Sequence, residues 1–480
     1  MGLLDRAGAR LTANPEEAEI LVVNTCSFID TAKQESVDTI LEMARFKTSG
    51  SARKLIVAGC LVERYRDEIR KSIPEVDAVV GTGELESILT AAGLSMPTAA
   101  ASTSPFNILS GAAAEIRPGK ESQAATHKHE TTSRSEGDAR ERKGRFKRDD
   151  WKGAAHLLPT YLYDESTPRF LTTPKSSAYI KIAEGCDHPC TFCVIPNLRG
   201  KFRSRRFESV VAEAQQLVGR GVEEITLIGQ DTTCYGEDLG IKDGLATLLD
   251  ELARIEGLRW LRFLYAYPNR ITGKLLETIA KHENICKYLD VPLQHASPAV
   301  LKTMKRGAGA EIFLKTLEKV RAAVPGIALR TSFIVGFPGE SVEDITILED
   351  FVKEAKFDWL GVFSYSDEEG SAAFPFEGKL NKRTIESRKR RIMKLQQSIS
   401  KRAKQQWIGR ELVILAEGES DETPLLWEGR TQFHAPEIDG KVYINDFGNL
   451  ETPEPSRFYK AEITEAHDYD LVARIVSGPL

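Results

Sequence analysis

The sequence predicts an α/β protein with an N-terminal α/β parallel-sheet domain, a parallel (β/α) barrel that is complete or partial, and a small C-terminal all-β barrel. Short apolar runs alternate with amphipathic segments in residues 1–94 and again in 173–381. Strands that are buried on both faces and separated by helices form parallel sheets. After residue 408 the chain changes to short strands separated by Gly and Pro turns, a pattern typical of a small β-barrel.

The N-terminal domain, residues 1–94, is predicted to alternate helix and strand. The opening MGLLDRAGARL is predicted to be an amphipathic helix, and residues 30–46 a second helix. Strands are predicted in EILVVN, KLIVAG and DAVVG. Because these apolar runs are short and lie between helices, we expect one parallel sheet with both faces covered.

Residues 95–172 have a different composition, rich in Ala, Ser, Thr and Gly, with the charged run GDARERKGRFKRDD. Such a composition favours a disordered or loosely ordered insert. A solvated linker is the preferred interpretation of the charged run, and contact with RNA is the alternative.

Residues 173–407 are predicted to form the largest domain. Repeated strand–helix units indicate a parallel barrel, and residues 382–407 form a long basic helix. The predicted barrel strands are AYIKIA, EITLIG, LRFLYA, YLDVPL, IALRTSFIVG and WLGVFSYS. In the last domain, 408–480, the predicted strands are VILAEG, KVYIN, FYKAEITEA and DLVARIV.

Composition excludes several classes of protein. The net charge of −5, from 65 basic and 70 acidic residues, gives no global attraction to nucleic acid or membrane. No apolar run reaches the roughly 20 residues needed to cross a bilayer, and the N-terminus has no apolar signal core, so we expect a cytoplasmic protein. Seven cysteines in 480 residues are too few for a disulfide scaffold and indicate metal binding or catalysis where they cluster.

The most informative motif is EGCDHPCTFC, in which Cys186, Cys190 and Cys193 follow C-x3-C-x2-C spacing. We expect this loop at the carboxyl end of the first barrel strand, where such barrels place their active sites. Thiolates favour iron–sulfur clusters and zinc. A cubic cluster is usually held by four cysteines, so three leave one iron open to a chelating methionine amino and carboxylate group. An electron from the cluster could then cleave the adjacent sulfonium carbon–sulfur bond.

A structural zinc site is the alternative for this triplet. Zinc motifs normally supply four ligands as two pairs, and no fourth ligand follows here at zinc spacing. His188 lies inside the triplet, but so short a loop seldom lets a histidine join the cysteines at one tetrahedral metal. The spacing and the barrel context therefore favour the cluster.

The triplet loop resembles that of the radical S-adenosylmethionine (SAM) superfamily, including Phe192 before the last cysteine. The longer string EGCDHPCTFCVIPNLRGKFRSR resembles the methylthiotransferases, as do NTCSFID and VAGC near the N-terminus. Three segments favour the RimO type, the ribosomal-protein methylthiotransferases. They are GQDTTCYG (229–236), YLDVPLQHASPAVLKTMKRG (288–307) and HAPEIDGKVYIN (434–445).

This resemblance implies a partial (β/α) TIM-like radical SAM barrel followed by a TRAM β-barrel. It implies a methylthio transfer to the β-carbon of one aspartate in small-subunit ribosomal protein twelve, free or within the ribosomal subunit. The implied cofactors are two 4Fe–4S clusters and S-adenosyl-L-methionine. A reductant and a sulfur donor are implied as partners, and no membrane is expected.

Cys26 and Cys60 each follow a predicted strand, in VVNTC and IVAGC. Because parallel strands end at one rim, the two thiols could meet there; inert buried cysteines are the alternative. The resemblance implies that both bind the auxiliary 4Fe–4S cluster, for which the family uses three cysteines. In that family the first of the three ends a strand before the first helix, so the resemblance implies a third cysteine upstream of Met1. Cys234 and Cys286 are candidate substitutes, but both fall in the barrel region.

The SAM pocket is predicted from segments at strand ends. TSFIVGFPGE (331–340) is a strand followed by a Gly/Pro turn, and in this superfamily such a segment lies beside the adenine. Gly336 would allow close approach of a ligand, although a tight barrel turn would also need it. Gln230 and Asp231 end another strand and are weaker candidates, while His295 is expected to be structural. No catalytic proton-transfer residue is assigned.

The C-terminal domain offers a test of the substrate class. Residues 408–480 contain six Lys or Arg and fifteen Asp or Glu, a net charge of −9. A domain that grips RNA should be basic, so an acidic one suits a basic protein partner; a merely solvated surface is the alternative. Two other functions stay open: a MiaB-like transfer-RNA methylthiotransferase, and a non-catalytic zinc or RNA-binding module.

Overall fold

The computed structural model describes residues 1–95 and 162–480. Most of the predicted insert at 95–172, including its basic run, lies outside the described residues. Its last part, from 162 onward, contains a defined turn in which Oδ1 of Asp164 accepts hydrogen bonds of 3.0 Å from the backbone N–H groups of Ser166 and Thr167. This end of the insert is therefore more ordered than its composition predicts.

The N-terminal domain is a parallel sheet in the order β1-β2-β3, as predicted. Strand β2 is central, and its three middle residues are fully buried: Leu55 and Val57 lie in the cluster with α2 and α3, while Ile56 lies in the cluster with α1 and α4. Helix α1 ends earlier than predicted because Gly8 has φ +88°, a conformation that stops helices. The elements are α1 (Gly2–Arg6), β1 (Ile20–Thr25), α2 (Asp30–Ser49), β2 (Lys54–Gly59), α3 (Cys60–Ser72), β3 (Ala78–Val80) and α4 (Ser87–Ala92).

The middle domain contains eight strands with helices between them, and six of these strands lie in parallel sheets. Its strands are β4 (Ser177–Lys181), β5 (Ala183–Glu184), β6 (Arg203–Ser204), β7 (Glu224–Ile228), β8 (Trp260–Phe263), β9 (Tyr288–Asp290), β10 (Ala328–Val335) and β11 (Trp359–Ser364). Its helices are α5 (Ile195–Arg199), α6 (Phe207–Val218), α7 (Gly244–Leu252), α8 (Gly273–Lys281), α9 (Pro298–Thr303), α10 (Ala310–Ala323), α11 (Val342–Ala355) and α12 (Lys382–Gln405), with a 3₁₀ turn at Pro268–Arg270.

These strands form two parallel sheets, β4-β7-β8 and β9-β10-β11, while β5 and β6 make a small antiparallel pair. A parallel bridge between Leu261 and Ile285 joins the two sheets. Among the described residues β11 and β4 are not paired, so the barrel is partial. One apolar core fills the space between the strands and helices α6 to α12.

The C-terminal domain is a closed five-stranded barrel in the order β12-β13-β14-β16-β15. Its strands are β12 (Glu411–Ser420), β13 (Thr423–Thr431), β14 (Val442–Asp446), β15 (Arg457–Ala466) and β16 (Leu471–Ser477). Strand β13 is not among the predicted strands, because Pro and Gly are uncommon inside strands. Here Gly429 permits close pairing: a Cβ at this position would lie 2.4 Å from the carbonyl oxygen of Leu415 on β12.

The C-terminal barrel packs against the amino ends of the middle-domain strands. Trp260, Tyr288 and Trp359, which begin β8, β9 and β11, are buried against Phe458 of β15. Trp260 and Phe458 meet edge to face, with ring centroids 4.8 Å apart. The carboxyl ends of the strands therefore face the opposite way and are left for a functional site.

No helix in the described ranges is long and apolar enough to cross a membrane.

Candidate metal and cofactor site

The cysteine triplet lies on a loop that leaves the carboxyl end of β5. Gly185 opens this loop with φ +80°, and a Cβ there would lie 2.2 Å from the carbonyl oxygen of Lys201. The loop is therefore folded back on itself tightly. The three thiolates, Cys186, Cys190 and Cys193, are close enough for each of the other two to disfavour ionisation of Cys193. The structure thus brings together the three residues that the sequence singled out.

The middle of the loop is anchored to two other segments. The backbone N–H of Thr191 donates to the carbonyl of Met304 at 3.1 Å, and the N–H of Ala373 donates to the carbonyl of Thr191 at 2.8 Å. Phe192 packs against an apolar cluster that includes Met304 and Phe337. This aromatic side chain fixes the loop to the barrel rim.

Two of the three sulfurs accept hydrogen bonds from groups outside the triplet. Nη1 of Arg306 lies 3.6 Å from Sγ of Cys190, and the N–H of Ile195 donates to Sγ of Cys193 at 3.4 Å. Burial raises the pKa of Cys186 to about 11 and that of Cys193 to about 12. These thiols therefore need a positively charged metal to ionise at neutral pH, and three sulfurs with donors around them fit a cluster held by three cysteines.

His188 does not join the triplet. Its Nε2 lies 2.5 Å from Oδ2 of Asp231, and its ring stacks on Tyr267 with centroids 3.8 Å apart. Cys234 donates from Sγ to the same carboxylate oxygen at 2.9 Å. His188, Asp231 and Cys234 thus form a compact polar group beside the triplet, with one ligand atom of each within 4.8 Å of the others.

Cys26 and Cys60 lie side by side at the carboxyl edge of the N-terminal sheet. They directly follow Thr25 and Gly59, which are partners in the parallel register of β1 and β2. Oγ of Ser27 donates to the carbonyl of Cys60 at 3.0 Å and fixes the turn. Burial raises the pKa of Cys60, and the negative charge of a Cys26 thiolate adds to the shift.

This edge faces the carboxyl end of the middle-domain strands. Arg64 of α3 donates from Nη1 to Oε2 of Glu368 at 2.9 Å, and Lys33 of α2 reaches the same oxygen at 2.9 Å. Both ion pairs join the N-terminal domain to the middle domain. They hold the two sets of cysteines on facing surfaces.

Arg199 links the segment that follows the triplet loop to Cys60. It ends helix α5, which follows the triplet loop, and its Nη2 donates to Sγ of Cys60 at 3.1 Å. Its Nη1 lies 3.5 Å from Glu184, which also pairs with Lys181 at 2.7 Å. A single guanidinium therefore lies between the two predicted cluster sites.

The other cysteines do not lie with Cys26 and Cys60. Cys234 is at the triplet side, against Asp231. Cys286 is buried in the contact between the middle domain and the C-terminal barrel. Neither therefore lies where it could serve as a third ligand beside the first two.

Gln230 and Gly336, the two residues predicted for the SAM pocket, follow the ends of β7 and β10 but have different surroundings. Oε1 of Gln230 is buried and has no hydrogen-bond partner among residues 1–95 and 162–480, which fits a polar ligand. Gly336 has φ +83°, and a Cβ there would lie 2.4 Å from Ile385 of α12, so helix packing already requires the glycine. Nδ1 of His295 accepts from the N–H of Ser297 at 2.9 Å, and its buried Nε2 lies 3.4 Å from Oε2 of Glu340.

Arg199 and Arg306 are the residues that sequence reasoning missed. Each precedes a glycine, in LRG and KRG, but nothing in the spacing indicates that their guanidinium groups reach cysteine sulfurs. Both contacts join segments far apart in the chain, so only the tertiary structure shows them.

Three family models match the chain. Residues 180–352 match the Radical SAM superfamily, residues 1–81 match the Uncharacterized protein family UPF0004, and residues 408–476 match the TRAM domain. The radical SAM match implies SAM and a 4Fe–4S cluster in the middle domain. The cysteine triplet, at 186–193, lies inside the matched range.

Named relatives match nearly the whole chain. The ribosomal protein uS12 methylthiotransferase RimO of Koribacter versatilis is 64% identical over 99% of this chain and 92% of its own. The proteins of the same name from Solibacter usitatus and Myxococcus xanthus are 52% and 41% identical, over 99% and 100% of this chain and 91% and 88% of their own. A solved structure, the radical SAM methyltransferase TsrM of Kitasatospora setae, is similar at a TM-score of 0.45 and 16% identity, covering 75% of this chain and 63% of that one.

The sequence relatives and the arrangement of the domains agree. An N-terminal parallel sheet, a partial radical SAM barrel and a TRAM barrel follow one another in the described residues. This chain therefore belongs to the RimO family of radical SAM methylthiotransferases.

Proposed function

We propose that this protein adds a methylthio group to the β-carbon of an aspartate in small-subunit ribosomal protein uS12. The observation that carries this proposal is the 64% identity, over 99% of the chain, to a protein named for that activity. We divide the chain at 1–94, 95–172, 173–407 and 408–480. In this proposal residues 1–94 and 173–407 carry the chemistry, and residues 408–480 dock the partner.

Cys186, Cys190 and Cys193 would hold the radical SAM cluster, and Cys26 and Cys60 would bind the auxiliary cluster together with a further ligand. When bound, the first cluster supplies the electron that cleaves SAM, and the second holds the sulfur. The support for the second site is geometric, since its two thiols follow paired strand ends. Gln230, with its unpartnered Oε1, is the better candidate for the SAM pocket than Gly336.

The protein's own residues position these groups and exclude water. Phe192 and the backbone of Thr191 hold the triplet loop against the barrel rim. Arg306 and Arg199 each place a positive charge beside a cysteine sulfur, which favours a thiolate ligand over a thiol. A reductant and an external sulfur donor complete the reaction.

A protein substrate agrees with the charge of the C-terminal barrel. Glu419, Asp421 and Glu422 lie in or beside the β12–β13 turn as exposed acids without an ion-pair partner among the described residues. A basic ribosomal protein complements such a surface, whereas RNA would be repelled. The barrel lies at the amino ends of the strands, about 20 Å from the cysteines by the length of an extended strand. It can therefore dock a part of the partner other than the reacting aspartate.

The test is anaerobic reconstitution followed by metal analysis and mass spectrometry of uS12. We expect iron and sulfide in the wild type, a methylthio mass gain on uS12, and loss of both SAM cleavage and mass gain in Cys190→Ala. Cys286→Ala is the matched control, because this cysteine is buried away from both sites. Zinc in place of iron, or mass gain on transfer RNA with none on uS12, would reject the proposal.

A further inference from the structure

Helix α12 carries an unusual concentration of positive charge. Its 24 residues contain ten Lys or Arg and one acid, Glu386, in a chain whose net charge is −5. A helix of this length extends about 36 Å. Such a concentration of positive charge on one helix is typical of a surface that binds a polyanion.

Three cations of α12 contact the middle domain. Arg388 pairs with the buried Glu340 at 2.5 Å, and Arg391 pairs with Glu349. Lys404 is buried with its Nζ 3.7 Å from the ring centroid of Trp359. These contacts hold α12 against the middle domain, although the Arg391 side chain is 53% exposed.

The outward face presents four exposed cations in one line, which we call the α12 stripe: Arg383, Arg390, Lys394 and Lys401. Their spacings of seven, four and seven residues return to the same helical face, so the stripe is about 27 Å long. Only Lys401 has a carboxylate within 4.0 Å among the described residues, Asp468 at 3.6 Å.

The stripe runs from the cysteine end of the molecule to the C-terminal barrel. At its start, Glu386 accepts a hydrogen bond of 2.7 Å from Ser364, which ends β11, and Ile385 packs at Gly336, which follows β10. At its other end, Gln397 donates to Asp468 of the barrel at 2.6 Å. A partner lying along α12 would therefore span the whole distance between the reaction site and the acidic barrel.

We propose that the α12 stripe binds phosphates of RNA in the ribosomal particle that carries the substrate protein. The inference rests on the proposed function and names the state of the substrate: uS12 within its RNA-containing particle. A line of exposed arginines and lysines, three of which have no carboxylate within 4.0 Å among the described residues, matches a phosphodiester backbone. Contacts to that backbone position a protein without reading sequence. The neighbouring barrel, at −9 for residues 408–480, repels RNA and attracts basic protein. The two surfaces together fit a particle made of both.

The test compares two variants of the full, anaerobically reconstituted chain. In the first, each cation of the α12 stripe is changed to glutamine: R383Q/R390Q/K394Q/K401Q. In the control, four exposed cations outside α12 are changed in the same way: R220Q/K242Q/K274Q/K319Q. Both lose four charges, so net charge alone cannot separate them. Circular dichroism and iron content check the fold of each.

The measured quantity is the affinity for purified small ribosomal subunits at several salt concentrations. We expect the stripe variant to bind at least tenfold more weakly at low salt, and its slope of log affinity against log salt to fall by about 3–4, or roughly one per lost phosphate contact. The control variant should keep the wild-type slope. If the quadruple variant is misfolded, R383Q/R390Q and K394Q/K401Q should each lose about half of that slope.

Three results would overturn the proposal. The first is an unchanged affinity and slope in the stripe variant, and the second is an equal loss of affinity in both variants. Binding to anionic lipid vesicles is measured in parallel, and the third result is a stripe variant that loses affinity for the vesicles while its affinity for subunits is unchanged. Binding needs no SAM turnover, so this readout is separate from the proposed function. An enzyme that fails to modify uS12 would reject the proposed function and leave the binding comparison to decide the docking surface.

Discussion

Replacement of Glu224 by glutamine tests how the C-terminal barrel is held to the middle domain. Glu224 begins β7 and is fully buried. Its carboxylate accepts from Nη1 of Arg430 of β13 at 2.6 Å and from Ser177 at 2.7 Å, while Arg262 lies 3.4 Å away. Glutamine keeps the shape and removes the charge, so both buried guanidinium groups lose their shared counter-ion.

The magnitude follows from the pKa of this carboxyl. Burial alone would raise it, but the charge and hydrogen bonds of Arg430, with the charge of Arg262, outweigh burial and lower the pKa of Glu224 from 4.5 to about 2. At 1.36 kcal/mol per unit this is about 3 kcal/mol. Removal of one partner from a buried pair typically costs about 3–5 kcal/mol. We therefore expect Glu224→Gln to lose about 3–5 kcal/mol.

The assay is urea unfolding followed by tryptophan fluorescence, because Trp260 lies beside Arg430 at 5.8 Å. Glu223→Gln is the matched control: the adjacent residue pairs with Arg259 at 2.6 Å, but the pair is partly exposed. Such surface pairs contribute about 0.2–1 kcal/mol. Equal shifts of the unfolding midpoint in the two variants would refute the reasoning.

The same residue predicts a pH dependence. The folded-state pKa of Glu224 is lower than the unfolded value, so its contribution is fully present above pH 4.5 and is lost as the pH falls towards about 2. The stability difference between wild type and Glu224→Gln should shrink across that window. A difference that stays constant between pH 5 and pH 2 would contradict the assignment.

Three further predictions concern other positions. Gly336→Ala should lose about 2 kcal/mol or more in urea unfolding, because φ is +83° and the new Cβ would meet Ile385 at 2.4 Å; an unchanged midpoint would contradict the packing. Burial lowers the pKa of Lys404 to about 8, so the stability of the wild type relative to Lys404→Met should rise from pH 8 to the ordinary lysine value of 10.5, and a flat difference would reject the shift. Arg199→Gln removes the donor to Sγ of Cys60, so the reduction potential of a cluster bound there should fall. The measurement is a redox titration followed by electron paramagnetic resonance, in a background with alanine at the three loop cysteines and with Arg199→Lys as the control. An unshifted potential in Arg199→Gln would exclude this role of Arg199.

The sequence by itself determined the domain types and the triplet. Apolar runs between amphipathic helices predicted the parallel sheets, because a strand buried on both faces has no polar face. C-x3-C-x2-C spacing predicted three sulfurs on one loop, since so few residues separate them. Local composition could not predict β13, because Pro and Gly are uncommon inside strands, whereas the fold needs Gly429 for its close pairing with β12.

Contacts between distant segments were decided by the tertiary structure alone. Arg199 meets Cys60 across 139 residues, and Arg430 meets Glu224 across 206. The acidic composition of residues 408–480 is visible in the sequence, but only packing shows that this barrel covers the amino ends of the strands, away from the cysteines. Periodicity and spacing predict the structure within one segment. They do not predict contacts of long side chains with residues that are distant in the sequence and that only the folded chain brings close.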